Sequence, residues 1–116
     1  MSEESTIGAL PVTVDVGPDV ITVRPTGAMD IEHAEDLRVA LLTALTHVSG
    51  PTDVVVDLSG LTFCDSAGLN ALLRGRLIAD ASGRTLRLAA PTRQIRRLLE
   101  LTGSDHLFRI DPSAPA

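Results

Sequence analysis

The sequence predicts an α/β domain. Its sheet is mixed and mostly parallel, with an N-terminal hairpin and the order β-β-α-β-α-β-α, possibly followed by a short last strand. Three observations carry that prediction. Val12, Val14 and Val16 alternate with Thr13 and Asp15, which is the period of a half-buried strand, and a Gly17-Pro18-Asp19 turn follows at once. Two later apolar runs, 53–58 and 85–90, are short and in part β-branched, as strands are. Between and after them lie stretches whose leucines recur at spacings of three and four, the mark of amphipathic helices. Strands separated by helices pair in parallel through right-handed crossovers.

Taken in order, residues 1–9 are polar and are expected to be flexible. The hairpin's second arm is 20–24, closed by Pro25 and Gly27. Asp30 is a suitable N-cap for the first helix. Ile31, Ala34, Leu37, Leu41, Leu42, Leu45 and Val48 form its apolar stripe over about five turns, up to Gly50-Pro51. The run 53–58 is apolar without alternation, which suits a central strand covered on both faces. Residues 59–64 read as a loop leading to Asp65-Ser66. The second helix carries Leu69, Leu72, Leu73 and Leu77 on one stripe and stops at Gly83. After the strand at 85–90, Thr92 caps a third helix lined by Ile95, Leu98, Leu99 and Thr102. Arg93, Arg96 and Arg97 lie outside it, and Gly103 ends it. Residues 107–110 are either a short strand or a packed tail, and 111–116, with two prolines, are expected to be a flexible tail. The domain proper is therefore expected over 10–110, with no repeat and no second domain.

Composition narrows the function. With 116 residues, of which 44% are apolar, the chain has enough material for a core that buries roughly two-thirds of its unfolded surface. Its only aromatics are Phe63 and Phe108, so it lacks the stacking platforms used on single-stranded nucleic acid. Ten arginines and no lysine stand against fifteen acids. The net charge of −5 opposes binding to duplex nucleic acid, and no nucleic-acid partner is expected. The single cysteine, Cys64, forms no internal disulfide or zinc cluster and reads as an apolar filler. The first ten residues have acids where a signal peptide would be basic, and no apolar run approaches the ~20 residues of a membrane span. A cytoplasmic protein without direct membrane insertion is expected.

The chemistry-bearing segment is Asp65-Ser66-Ala67-Gly68-Leu69, at a loop-to-helix junction. Either Asp65 or Ser66 could cap the helix, and Gly68 is read as leaving that turn bare for a partner's backbone. Other readings fit poorly. Cys64 stands where a hydrolase elbow needs glycine, and none of His33, His47 and His106 is placed to serve Ser66. Asp30, Asp57 and Asp65 could imitate a magnesium cluster, but the lysine such phosphoacceptor sites use is missing. There is no glycine-rich phosphate loop with lysine either. No metal and no cofactor is expected.

The stretch from Val54 through Asp57-Leu58 to Asp65-Ser66-Ala67-Gly68-Leu69 resembles the centre of the STAS domain, shared by sulphate transporters and anti-sigma factor antagonists. Gly27-Ala28-Met29-Asp30 is similar to that family's second marker, with Met29 where Leu or Ile is usual. The resemblance covers roughly residues 10–110 and extends to the order of elements. It implies a bacterial partner-switching protein that regulates transcription and is not an enzyme. An unphosphorylated antagonist binds an anti-sigma factor that is also a serine kinase, which frees a sigma factor. Phosphorylation of the motif serine, here Ser66, undoes the complex, and a protein phosphatase resets it. Partner contacts are then expected at Asp30, Asp65, Ser66, Ala67, Gly68 and Leu69. A monomer is expected, because the apolar stripes are used up by the sheet. Two alternatives remain: a soluble STAS accessory subunit of a membrane lipid ABC transporter, and, less compatible with the motif, a Ser66-dependent hydrolase.

Overall fold

A computed structural model describes residues 11–47 and 50–115. Strand β1 (Val12–Val16) pairs antiparallel with β2 (Ile21–Pro25), as the alternation and the turn require. β3 (Gly27–Met29) follows directly. Then come helix α1 (Ala34–Leu45), β4 (Asp53–Asp57), β5 (Leu61–Cys64), α2 (Ser66–Ala81), β6 (Thr85–Ala89), α3 (Arg93–Leu101), a 3-10 turn (Ser104–Leu107) and β7 (Arg109–Asp111). The main sheet runs β1-β2-β4-β6-β7, parallel except for the first pair, and β3 and β5 form a second, two-stranded parallel sheet.

Register explains where the core sits. Ile21, Val54 and Leu86 lie abreast on neighbouring strands, as do Val23, Val56 and Leu88, and all six belong to one buried cluster with the helices' inner faces. These residues alternate along each strand, so the helices contribute to a single core on one side of the sheet. The opposite row is Thr22, Val55, Arg87 and Arg109. β4 is buried on both faces, as its unbroken apolar run predicts, but Val55 lies outside the core cluster. Its side of the sheet carries ion pairs instead. Arg24 joins Asp57 (3.5 Å) to Asp15 (3.7 Å), and Arg87 joins Asp53 (3.0 Å) to Asp111.

Several expectations need correction. β1 points its valines toward the helix layer, but only Val12 is packed against the core and the rest of the strand is exposed, because α1 covers only part of that edge. α1 is three turns rather than five. Ile31 lies in the turn before it, fully out in solvent at 79% exposure, and Leu42 is also exposed; Val48 lies outside the described residues. On α2 the buried stripe is Gly68, Leu69, Ala71, Leu72, Gly75 and Ala79, while Leu77 is exposed. Small residues replace leucine there because α1 passes close: a Cβ on Gly75 would stand 3.0 Å from Leu41 Cδ1. The loop expected at 59–64 contains β5. Thr92 does cap α3, accepting from Ile95 N–H at 3.3 Å, though Thr102 is exposed. Gly83 and Gly103 adopt the left-handed conformation that ends helices, at φ +72° and +74°. The last strand forms, and Asp111, placed in the tail by sequence, pairs with Ala89 within it. Beyond it, Pro115 lines a cavity of about 300 Å³ with Thr22 and Arg24. The expected flexible segment 1–9 is outside the described residues.

Candidate functional site

The small β3–β5 sheet builds the site. Met29 and Cys64 are partners in its parallel register, so Asp30 and Asp65, the next residue on each strand, leave side by side at the same end. A hydrogen bond from Asp65 N–H to the Met29 carbonyl (3.3 Å) ties the two exits together. Each aspartate then starts a turn into a helix, which is why two markers 35 positions apart in sequence meet in space.

At the first exit, Asp30 is not the N-cap of α1. Its Oδ1 accepts from Glu32 N–H (3.1 Å), His33 N–H (3.2 Å) and His33 Nδ1–H (2.8 Å), while its carbonyl accepts from Ala34 N–H. The aspartate organises the turn over 31–33 and hands the chain to α1, whose N-cap, His33, makes no side-chain cap bond. The His33 hydrogen bond, above all, holds the Asp30 carboxyl below its ordinary value of 3.8. Ligand atoms of Asp30, Glu32 and His33 lie within 4.8 Å of one another. With three N–H groups already on one oxygen, this cluster reads as a turn rather than as a metal centre.

At the second exit the two possible caps are separated. Asp65 takes the role: its backbone is extended and its Oδ1 accepts from Ala67 N–H (2.9 Å) and Gly68 N–H (3.2 Å). Ser66 is the first residue of α2 and is exposed, and among the described residues its hydroxyl makes no hydrogen bond. Its environment is the positive end of a 16-residue helix.

Gly68 and Leu69 face inward, contrary to the partner surface expected of them. Both are buried, and a Cβ on Gly68 would stand 2.6 Å from the Met29 carbonyl oxygen and 2.8 Å from Cys64 Sγ. The glycine is required because α2 begins hard against the end of β3, not because a partner approaches. Cys64 beneath it is buried, and burial followed by the Asp65 charge pushes its thiol up to about 11. Of the six expected contact residues, Ser66 is exposed and Asp30, Asp65 and Ala67 are half-buried.

Two exposed apolar residues flank this surface and were not picked out by sequence: Ile31, one residue past Asp30, and Phe63, two before Asp65. Ile31 was hidden by fitting the helical period, and Phe63 by the absence of a strand signal around it. A groove of about 230 Å³ runs between α1 and α2, with Ile31, Glu35 and Arg38 on one wall and Ala67, Asn70 and Arg74 on the other. None of the described helices is long and apolar enough to cross a membrane.

Residues 12–109 match the family model described as "Mlab, STAS domain". The fold is similar to that of an anti-sigma factor antagonist from Mycobacterium paratuberculosis, at 26% identity over 88% of this chain and 85% of that one, with a TM-score of 0.78. It is similar to the phosphorylated form of the Bacillus cell fate determinant SpoIIAA, at 21% identity over 86% and 89% of the two chains and a TM-score of 0.66. It is also similar to a sulfate transporter family protein from Wolinella succinogenes, at 17% identity over 85% and 81% and a TM-score of 0.72.

Proposed function

The chain belongs to the STAS domain family, and within it we propose that the protein is an anti-sigma factor antagonist, a cytoplasmic switch whose phosphoacceptor is Ser66. Its partners are an ATP-binding anti-sigma factor that acts as a serine kinase and a phosphatase that removes the phosphate. It is a substrate in this cycle and not an enzyme.

The observation that carries the reading is the division of labour between neighbours. Asp65 holds the helix cap, which leaves the Ser66 hydroxyl exposed and, among the described residues, without a hydrogen bond. A kinase can take that oxygen without breaking anything that holds the fold. The phosphate then adds roughly −1.5 to −2 charges. The N-terminus of α2 tolerates them, so the domain stays folded. A docked partner does not tolerate them: Asp65 and Asp30 already make the surface acidic, and burying a dianion without a matching cation is unfavourable. A coupling of about 3–4 kcal/mol lowers affinity a few hundredfold, enough for a switch.

Hydrolase chemistry at Ser66 lacks a base. Among the described residues no imidazole is hydrogen-bonded to its hydroxyl, and His33, beside the other aspartate exit, spends Nδ1 on Asp30. The second reading, an accessory subunit of a membrane lipid ABC transporter, is kept because the fold is also similar to that of a sulfate transporter family protein. Wild-type and Ser66→Asp baits, compared side by side in pull-downs from the source cell, separate the two. The switch predicts a histidine-kinase-like ATPase that is captured by wild type and lost with Ser66→Asp. The same transporter ATPase on both baits would refute it.

A further inference from the structure

The monomer expected from sequence rests on every apolar stripe being covered, and the structure leaves one uncovered. Among the described residues β1 is the outer strand of the main sheet, and one side of its backbone has no partner strand. Edge strands are usually blunted by charge, proline, bulges or brevity. The other edge, β7, is three residues long and carries Arg109 and Asp111. Among the described residues β1 has no such protection. It pairs with β2 over five consecutive residues without a bulge, and its one charged residue, Asp15, is on the helix-free side, where Arg24 pairs with it. On the helix side, Val14 and Val16 are 37% and 45% exposed. The outer face of α1, which packs on β1 and β2, adds Val39 and Leu42 at 47% and 39%.

We propose that this edge is a homodimer interface, in which β1 pairs antiparallel with β1 of a second copy about a two-fold axis at Val14. The occupant is fixed by the pattern of the strand itself. Centred on Val14, the pairing sets Val12 against Val16, Val14 against Val14 and Asp15 against Thr13, so all five residues find partners, every valine meets a valine on the helix side, and no like charges meet. A slip of one residue sets valines against polar residues. Centring on Asp15 instead opposes two carboxylates. The same axis brings the two α1 helices together on one face of a continuous ten-stranded sheet, where Val39 and Leu42 of each copy close the remaining apolar gap. α1 separates this edge from α2, so both Ser66 sites stay open and a dimer is bivalent toward any partner docked there. The interface does not depend on what Ser66 does.

Analytical ultracentrifugation of the full chain over a range of concentrations tests the proposal. The expected result is a reversible shift to twice the 12.2 kDa chain mass, lost in Val14→Lys with its circular dichroism spectrum unchanged. Val14→Cys provides a second test independent of that variant's folding. Opposed Cα atoms in an antiparallel pair lie about 4.5–5.5 Å apart, within disulfide reach. Mild oxidation should therefore yield a covalent dimer with Val14→Cys and none with wild type, whose only thiol is buried. A wild-type chain that stays at 12.2 kDa throughout, or a dimer that survives Val14→Lys and is not cross-linked through Val14→Cys, would overturn it.

Discussion

Asp65 and Ser66 are adjacent, both are good capping residues, and their fates differ completely. The carboxylate of Asp65 is consumed by two backbone N–H groups, while Ser66 is left outside the bonding. Asp65→Ala should therefore lower stability by about 1 kcal/mol, read by urea denaturation, whereas Ser66→Ala should stay within about 0.5 kcal/mol of wild type and lose all phosphate incorporation. Gly68 makes the complementary point. Its missing Cβ is matched to a backbone carbonyl that cannot step aside, so Gly68→Ala should cost about 1–3 kcal/mol despite favouring the helix. Cys64, with a thiol pushed up to about 11 by burial and by Asp65, should resist thiol reagents at pH 8 in the native state and react once the chain is unfolded. Sequence located these residues without ranking them. Which of two neighbours caps a helix, and whether a glycine serves the core or a partner, depends on what faces them, and what faces them here is Met29, 39 positions before Gly68.

The element that sequence missed is β5. Its four residues, Leu-Thr-Phe-Cys, follow a Ser-Gly turn and are buried only at the two ends, so they show neither alternation nor an unbroken apolar run. What makes them a strand is β3, a partner more than 30 positions away, and pairing at that distance leaves no local signature. The main sheet was legible because each of its long strands carries its own pattern. Its helix-free face was not, since an isolated Arg87 in a strand gives no sign that Asp53 and Asp111 will flank it. That ladder has a pH signature. Burial acts alone to raise the Asp53 carboxyl, but hydrogen bonds from Arg87 and Thr85 and the charges of Arg87 and Arg109 together hold it below 3.8. A carboxylate depressed in the folded state stabilises above its unfolded value, and that contribution fades as pH falls through the folded one. The stability difference between wild type and Asp53→Asn should therefore be full at pH 7 and shrink progressively below about pH 4, followed by thermal unfolding.

At the scale of the molecule, the strand and helix order, the hairpin and the position of the motif were readable from 116 residues, because hydrophobic period and turn chemistry are local. The meeting of Asp30 with Asp65 was not, because it depends on the pairing of β3 with β5, nor was the exposure of β1, which depends on how much of that strand α1 covers. The assembled picture is a platform on which the Ser66 hydroxyl, at a helix start, has no hydrogen bond among the described residues, beside Asp30 and Asp65 and flanked by the exposed Ile31 and Phe63. Such a platform should respond to phosphate by changing its partner and not its fold. The measurement that tests this most directly is the dissociation constant for the proposed kinase partner, purified, by calorimetry, with unphosphorylated and Ser66-phosphorylated protein. A few-hundredfold weakening, with the circular dichroism spectrum of the domain unchanged, is the predicted result; equal affinities, or a phosphorylated domain that has unfolded, would contradict it.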